Sequence, residues 1–578
     1  VVLPGRTISA EHVRLSMARD QLWLEDLDSR NGTLLNGQPV NRKIPIKPSD
    51  EIMAGNYLLQ AEFIDTTPEN RVPVSFQPEI VTESLINQAY PTAESHFLTV
   101  GGGIGSFVWA DALIVSGVDP DNIVAIGLDA KPYGRYQRLC ANSQIPDHER
   151  LRSNSDSCPD NMWGWPGYAV REIGRDAARG RLGQASRVAW QIFNEPYVQT
   201  YTPKAGDVFA SMDKEAKRIG WENIWQYGRV RAIRKTDQDR YAVLYTGRDS
   251  LTGKRQSMVY YCNWLHVAIG YPGIKLLKQL QDFRDVTHDF HRLVNAYEEH
   301  DHVYDMLKEH GGTVVIRGRG IVASRIIQRI YEIRQESDKP IEVVHLMRSP
   351  KTKGQRFRLG KRDVAHNWEF QPFNWPKAAW GGDLRVTLER AGSVKRDNLL
   401  DQWGGTTTAD RSDWKEIVDQ GLAEGWYRIV FDNIKHVSAD HPEFGPITLK
   451  LQDEDGQSGT ILANYIVDAT GLDSSIESHS LLHDLVGQYN LPLNPKGRLH
   501  VSNSFELEDM RLSHGQMYAS GVSTLGGPYA PVDSFLGLQY AAQRSVSHLA
   551  RHAETGVREL HGLRSFYQWT RWVRGVQP

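Results

Sequence analysis

Cysteine is nearly missing: the chain of 578 residues holds three, Cys140, Cys158 and Cys262. So odd and widely spaced a set excludes a disulfide scaffold and any CxxC pair, and it suits a reducing cytosol. No stretch reaches the ~18 consecutive apolar residues that a membrane-spanning helix requires. No charged, apolar and small-residue succession of a secretory leader opens the sequence. A cytoplasmic protein without a transmembrane segment is therefore expected. Nor is there a basic excess. The 67 Lys and Arg face 70 Asp and Glu, a net charge of −3, which argues against a nucleic-acid partner. The 20 histidines form no HExxH and no cysteine–histidine spacing, so no metal site is expected.

What is present has the balance of a globular chain, 40% hydrophobic and 24% charged, and the length implies several domains. The first 65 residues alternate turns with short β-type runs (QLWLEDL, TLLNG, EIMAGNYLLQAEF), which predicts an all-β sandwich. From Thr66 to Ser95 proline and polar residues dominate, the composition of a linker. At His96 the pattern turns to strand, glycine loop, helix, and a second such unit begins at Thr313. Between them RVRAIRKTDQDRYAVLYTG and MVYYCNWLHVAIG predict a β-meander that leads into a buried strand. The alternation implies α/β domains built on parallel sheets.

The N-terminal segment carries Ser9-Ala10-Glu11-His12 and then Ser29-Arg30-Asn31-Gly32-Thr33 before Asn36-Gly37. Asn-Gly pairs favour tight hairpin turns. SxxH followed by SRNGTxxNG resembles the forkhead-associated (FHA) domain. The resemblance implies that Ser9, Arg30 and Asn31 contact a phosphothreonine peptide and that His12 props the loops. Hydroxyl, guanidinium and amide donors converging on a dianion suit that role. The family's phosphate-binding Gly-Arg lies well upstream of the serine, whereas Gly5-Arg6 stands just before Ser9. These residues read instead as a turn, so the domain is expected to be incomplete at its N-terminus. A sandwich that only packs is the alternative.

HFLTVGGGIGSFVWADAL places Gly101, Gly103 and Ser106 in the positions of GxGxxG. The first glycine allows a tight turn, the second lets backbone approach a pyrophosphate at a helix N-terminus, and the third position needs a small residue. IVAIGLDAKPYGRY, the buried strands WLHVAIG and YIVDATG, and MYASGVSTLGG followed by SFLGLQYAAQRSV together resemble FAD-binding oxidoreductases. The resemblance implies FAD held by Gly101, Gly103, Ser106 and Gly521. Gly127 stands where relatives place the acidic ribose ligand, which makes Asp129 the candidate. Val522 follows Gly521 where many relatives have aspartate.

GGTVVIRGRGIVASRIIQRIYEIR repeats the unit with Gly318, Gly320 and Ala323, and the next strand ends at Arg348-Ser349. An arginine there suits the 2′-phosphate of NADPH. The basic run Lys351, Lys353, Arg356, Arg358, Lys361 and Arg362 either assists or is a solvated loop. NAD, or a site without ligand, stays open, and Arg319 inside the loop would crowd a pyrophosphate. From His96 to Leu549 the arrangement resembles two-dinucleotide-binding flavoproteins, flavin monooxygenases among them.

The expected fold is thus multidomain: an incomplete FHA sandwich over 1–65, a linker over 66–95, an FAD-binding domain from 96–275 and 476–560, an NAD(P)-binding domain over 276–475, and a tail over 561–578. The expected function is FAD-dependent NAD(P)H oxidation, with electrons passed to a small-molecule or protein acceptor and the FHA domain tethering a phosphothreonine-bearing partner. Hydride transfer to flavin needs stacking geometry rather than a catalytic side chain, so no catalytic residue is singled out. Trp163 and Trp165 are expected to line the flavin site. The rival expectation is a non-catalytic or redox-sensing platform whose working site is the FHA loop. Gly127, Val522 and Arg319, each a departure at a ligand position, point that way.

Overall fold

The computed structural model describes residues 9, 12–18, 21–35, 38–46, 51–54, 57–60, 72–151, 153, 155–193, 201–248, 253, 255–287, 289–357, 360–370, 383–403, 413–441, 445–453, 456–529 and 532–578. Gly5-Arg6, Asn36-Gly37, Arg358, residues 66–71 of the expected linker and residues 371–382 lie outside the described residues.

Seven short strands build the N-terminal module: β1 (Val13–Ala18), β2 (Gln21–Asp26), β3 (Thr33–Leu35), β4 (Gln38–Pro39), β5 (Ile44–Ile46), β6 (Glu51–Ala54) and β7 (Tyr57–Gln60). They form two antiparallel sheets, ordered β1-β2-β5 and β4-β3-β6-β7. Leu24, Val40, Ile46 and Ile52 make the core between them, the sandwich that the short alternating runs predict.

Residues 72–95 correct the linker expectation. They hold β8 (Ile80–Val81), α1 (Glu83–Ala89) and β9 (Thr92–Glu94). Phe76, Val81 and Ile86 are buried against one face of the meander. Prolines here mark strand edges and turns of a packed segment rather than free chain.

The first large sheet runs β24-β15-β10-β11-β12-β13-β14-β9. Its members are β10 (Phe97–Val100), β11 (Ile123–Gly127), β12 (Trp225–Thr236), β13 (Tyr241–Arg248), β14 (Arg255–Cys262), β15 (Trp264–Val267) and, far along the chain, β24 (Gln516–Ala519). The four strands β24, β15, β10 and β11 are parallel, with Phe97 opposite both Ile123 and Trp264. Helix α2 (Ile104–Val115) follows β10, and α3 (Gly134–Asn142) follows β11. Then come α4 (Gly167–Ala178), α5 (Leu182–Phe193), α6 (Ala205–Ile219) and α7 (Trp221–Ile224). Helix α2 is apolar almost all round and nearly every residue of it is buried, as an interior helix must be.

The second body begins with α8 (Lys278–Thr287), β16 (Leu293–Asn295), α9 (Asp301–His310), β17 (Gly312–Arg317), α10 (Ile321–Glu336) and β18 (Ile341–Met347). After α11 (Asp383–Arg390), α12 (Ser393–Trp403) and α13 (Trp414–Glu424) it continues with β19 (Tyr427–Phe431), the meander β20 (Asn433–Ala439), β21 (Ile447–Gln452) and β22 (Ser458–Ala463), and β23 (Tyr465–Asp468). Its parallel sheet is ordered β16-β23-β17-β18-β19. The chain closes through α14 (Ser480–Tyr489), α15 (Phe535–Leu549) and α16 (Gly562–Val573).

Two further expectations need correction. Helices α11 and α12 fall inside the span assigned to the nicotinamide domain, yet Leu384 and Leu388 join the flavin-side core with Phe505, Tyr529 and Val532. Tyr529 donates to Glu389 at 2.6 Å, and Lys496 reaches Asp397 at 2.9 Å and Asp401 at 2.7 Å. The supposed tail carries a helix, α16, fixed by Trp572 Nε1 donating to Asp160 O at 3.0 Å.

Candidate dinucleotide and phosphopeptide sites

The two glycine loops have matching backbones. Gly101 has φ +133° and Gly318 φ +135°, values that L side chains rarely adopt. A Cβ on Gly101 would sit 2.2 Å from Ala268 O, and one on Gly318 would sit 2.5 Å from Ala469 O. Each loop is therefore pressed against the end of a neighbouring buried strand, β15 in one body and β23 in the other. Gly103 and Gly320 then cap α2 and α10 in extended conformations, φ −91°, ψ −165° and φ −88°, ψ −177°. Neither has a side chain to cover the helix N-terminus, so the first-turn N–H groups stay open to an anion.

Gly103 tells the most about a ligand. A Cβ there would find no protein atom closer than 4.0 Å, the carbonyls of Gly101 and Pro132. Protein packing alone does not demand glycine at this position. Ser106 and Ala323 occupy the third motif position, both fully buried, which accounts for the small residue at each.

Gly127 is explained by packing. Its added Cβ would lie 2.5 Å from Gly102 Cα, and that of Gly102 2.8 Å from Gly127 Cα. The strand end and the loop touch backbone to backbone, so an acid cannot stand there. Asp129, two residues on, holds Arg138 through both carboxylate oxygens at 2.8 and 2.9 Å. Each oxygen keeps a further lone pair for a ribose hydroxyl. Gly521 has φ +77°, and Val522 beside it is buried.

Beneath the first loop runs a buried polar chain that sequence reading missed. Thr99 donates to Ser106 Oγ at 2.9 Å and meets His266 Nδ1 at 2.9 Å, while His266 Nε2 meets Ser520 Oγ at 2.9 Å. Since the Thr99 proton goes to Ser106, Nδ1 donates to Thr99 and Nε2 accepts from Ser520. Trp109 stacks on the imidazole at 4.9 Å. Burial depresses His266 to about 3, so it stays neutral. The chain joins β10, β15, the end of β24 and α2, and so fixes the loop that carries Gly521. The second body has its own buried histidine. His345 bonds Tyr427 at 2.7 Å and donates to the carbonyl of Gly318, with burial pushing it down to about 4. The only hints in sequence were single histidines within apolar strands.

Arg319 does not cross the loop. Its guanidinium donates to Ser349 O at 2.9 Å and to Asn367 O at 3.4 Å, which turns it toward the end of β18 beside exposed Arg348. Arg317, buried below, donates to Asp432 O at 2.8 Å. Burial, then the positive charges of Arg348 and Arg319, depress Arg317. This strand end is thus cationic, with no acid where NAD enzymes present one. The rest of the basic run divides. Lys351 and Arg362 approach the buried Glu369 at 3.4 and 4.0 Å, while Lys353 is exposed.

The two bodies are latched together. Arg325 on α10 donates to Gln144 O at 2.8 Å and pairs with Glu149 at 2.6 Å. Asn142 and Ser143 donate to the carbonyls of Tyr297 at 2.9 Å and Ala296 at 3.3 Å. The latch holds the segment after α3 against the N-terminal part of α10. Trp165 is half-exposed and meets Trp569 of α16 at 5.6 Å. Burial pushes the Cys140 thiol up to about 12, which makes it a poor nucleophile. Among the described residues no cluster of three or more His, Cys, Asp or Glu is suited to a metal.

In the N-terminal module Ser9 N donates to His12 Nδ1 at 3.0 Å, so Nε2 carries the proton and donates to Gly32 O at 3.0 Å. Ser9 Oγ accepts from Arg30 N at 2.9 Å. Asp26 underneath accepts from Ser29 N and Oγ at 2.9 and 2.7 Å and from Thr33. Burial acts to raise its pKa, but the bonds from Thr33 and Ser29 prevail and hold it below the usual carboxylate value. Buried His12 and half-buried Asp26 therefore lock two loops whose tips expose Arg30 and Asn31.

Comparison with known proteins agrees with this division. The FHA domain model matches residues 1–55. The N-terminal module is an FHA domain. Among solved structures, ornithine hydroxylase from Pseudomonas aeruginosa superposes with a TM-score of 0.54 at 14% identity, covering 80% of this chain and 100% of its own. The cadaverine monooxygenase of the desferrioxamine pathway of Erwinia amylovora, bound to FAD, gives 0.55 at 15%, over 81% of this chain and 96% of its own. An ornithine N-hydroxylase of Kutzneria sp. 744, with reduced FAD, NADP+ and ornithine, gives 0.54 at 13%, over 80% and 100%. The body therefore has the two-dinucleotide-binding flavoprotein fold. No curated protein matches the sequence.

Proposed function

We propose that this chain is an FAD-dependent oxidoreductase that oxidises NADPH in the manner of flavin monooxygenases, and that its FHA domain recruits it to a phosphothreonine-bearing partner. The observation that carries the reading is the duplicated cradle: Gly101 against Ala268 O and Gly318 against Ala469 O, each followed by a bare helix N-terminus. FAD would be held by Gly101, Gly103, Ser106 and the N-terminus of α2, with Asp129 on the adenosine ribose and Gly521 near the ring end. NADPH would be held by Gly318, Gly320, Ala323 and the N-terminus of α10, with Arg348 on the 2′-phosphate. When bound, NADPH supplies a hydride and FAD carries the two electrons onward. This chain's own part is to hold the two groups in register through the Arg325–Glu149 latch and to keep water from the interface.

Two of the three departures that favoured a platform, Gly127 and Arg319, have structural causes that leave room for ligands. Gly127 is imposed by contact with Gly102, and the Arg319 guanidinium is engaged by the carbonyls of Ser349 and Asn367. The FHA loops would present Ser9, Arg30 and Asn31 to the phosphopeptide, so that a kinase controls location rather than chemistry.

The test is an absorbance spectrum of the purified protein under argon, before and after NADPH. The expected result is a flavin spectrum that bleaches with NADPH and recovers on admission of air. The hydroxylases of like fold are named for ornithine and cadaverine, which makes primary amines the first substrates to add. A flavin that stays oxidised under excess NADPH and NADH would overturn the proposal.

A further inference from the structure

Helix α16 is amphipathic the wrong way round. Leu563, Phe566, Tyr567, Thr570 and Val573 follow the spacing of one helical stripe, and Leu563, Phe566, Tyr567 and Val573 of that stripe face solvent, Leu563 at 88% exposure. The inward side is polar or anchored: Gln568 is buried, and Trp572 donates to Asp160 O. Helix α5 repeats the pattern with Leu182, Ser186, Trp190 and Phe193, the last 83% exposed. The two helices are connected physically. Phe566 stacks on Trp569 at 5.8 Å and Trp569 meets Trp165 at 5.6 Å. Trp165 leads directly into α4, which packs on α5.

Charge identifies what this surface fits. Residues 562–578 hold Arg564, Arg571 and Arg574 and no Asp or Glu, in a chain whose net charge is −3. Among the described residues Arg571 bonds neutral groups, Gln577 O at 2.7 Å and the Tyr567 hydroxyl at 2.8 Å. On α4 and α5, Glu172 and Asp176 are engaged by Arg150 and Arg181. Arg179 and Arg187 pair with no acid among the described residues. A second copy docked about a two-fold axis would bring a second set of the same arginines to the interface and no acid from α5 or α16 to pair them. Bulky apolar and aromatic side chains bordered by arginine on a surface helix are instead the chemistry of a bilayer interface. Among the described residues no helix is long and apolar enough to cross a membrane, so the contact would lie in the interface plane.

We infer that α16, together with α5, binds the surface of an anionic phospholipid bilayer. The aromatic and leucine side chains insert at the headgroup boundary, and Arg571, Arg574 and Arg187 meet the lipid phosphates. The inference is independent of the redox proposal: it concerns where the protein sits and needs neither cofactor.

The experiment is flotation of the full chain with vesicles of phosphatidylcholine alone and of phosphatidylcholine containing phosphatidylglycerol. Binding is expected only with phosphatidylglycerol, and it weakens as salt is raised. Each arginine at such a surface is worth about five-fold in partition, so Arg571→Gln with Arg574→Gln lowers binding roughly thirty-fold. Leu563→Ser with Phe566→Ser abolishes it while lowering the thermal melt only slightly, because Leu563 is almost wholly in water and Phe566 gives up little beyond its stacking on Trp569. In the native chain, brominated anionic lipid quenches tryptophan fluorescence, and Trp190→Phe lessens the quenching. Equal binding to both vesicles, binding to neither, or wild-type binding by the serine variant overturns the inference. So does a dimer, seen by light scattering, that the serine variant dissociates, since it assigns the face to a second copy.

Discussion

Replacing Gly103 with alanine separates a ligand's requirement from the protein's own. The backbone there is extended, φ −91°, ψ −165°, and an added Cβ would have its nearest protein neighbours at 4.0 Å. Two small effects on stability oppose each other. Alanine restricts the unfolded chain, a gain of about 0.4–1 kcal/mol, and it is a poorer helix cap than glycine, a loss of about the same size. Stability of the flavin-free protein should therefore stay within about 0.5 kcal/mol of the parent. If FAD pyrophosphate comes to the N-terminus of α2, the same methyl group stands in its way. Overpacking of one carbon costs about 1–3 kcal/mol, which raises the FAD dissociation constant roughly five- to 150-fold. The assay is a fluorescence titration of flavin-free protein with FAD, paired with a thermal melt of that protein. Gly101→Ala is the contrast, because its Cβ would meet Ala268 O at 2.2 Å at φ +133°, so it should fail in the melt first. Native FAD affinity in Gly103→Ala would refute the assignment of the pyrophosphate to this loop.

Arg348→Ala should weaken NADPH about ten- to a hundred-fold, the worth of one charge-assisted hydrogen-bonded contact, and leave NADH nearly unchanged; equal losses, read as KM in diaphorase assays, would sink the 2′-phosphate role. His345 is held near 4 in the fold against 6.5 in the open chain, so the unfolded state binds the extra proton between those values. Its contribution is complete above about pH 6.5 and declines below it by at most ~1.4 kcal/mol per pH unit, levelling near pH 4. Denaturant titrations of His345→Gln across that window should show a correspondingly shallower slope, and an unchanged slope would contradict the burial argument. Asn31→Ala should abolish capture of phosphothreonine peptides in an anisotropy assay while the melt of the module is unchanged; retained capture would move the binding surface off this loop.

Much of the architecture could be read from pattern because each unit is local. Strand, glycine loop and helix lie within one short segment in each body, Phe97 to Val115 and Gly312 to Glu336, and the meander between them shows as β-type runs bounded by turn residues. Errors arose where the deciding contact is distant in sequence. Composition marked residues 72–95 as linker because nothing local shows that Phe76, Val81 and Ile86 will meet a sheet formed by residues 225–262. Helices α11 and α12 were assigned to the wrong body for the same reason: Leu384 and Leu388 find Phe505 and Tyr529 only in three dimensions. The helix at 561–578 was legible, since Leu563, Phe566, Tyr567 and Val573 have helical spacing; what the sequence does not show is that this stripe faces outward.

The departures at Gly127 and Arg319 show how a site can be misjudged when motif positions are weighed singly. An acid missing from the end of β11 looks like a lost ribose ligand until Gly102 is seen 2.5 Å from where its Cβ would stand. With three consecutive glycines in the loop, Gly102 lies closer to the strand than a side chain permits, and the strand end must then be glycine as well. The acid is displaced, and Asp129 stands two residues further on, already oriented by Arg138. In the second body the middle position is Arg319, which cannot take that close approach, and its side chain turns instead to the carbonyl of Ser349. There it adds positive charge beside Arg348, at the strand end where the 2′-phosphate would lie. A long residue inside a glycine loop can therefore favour NADPH rather than obstruct it. The two loops share one backbone shape but differ at that middle residue, and the difference matches the cofactor proposed for each.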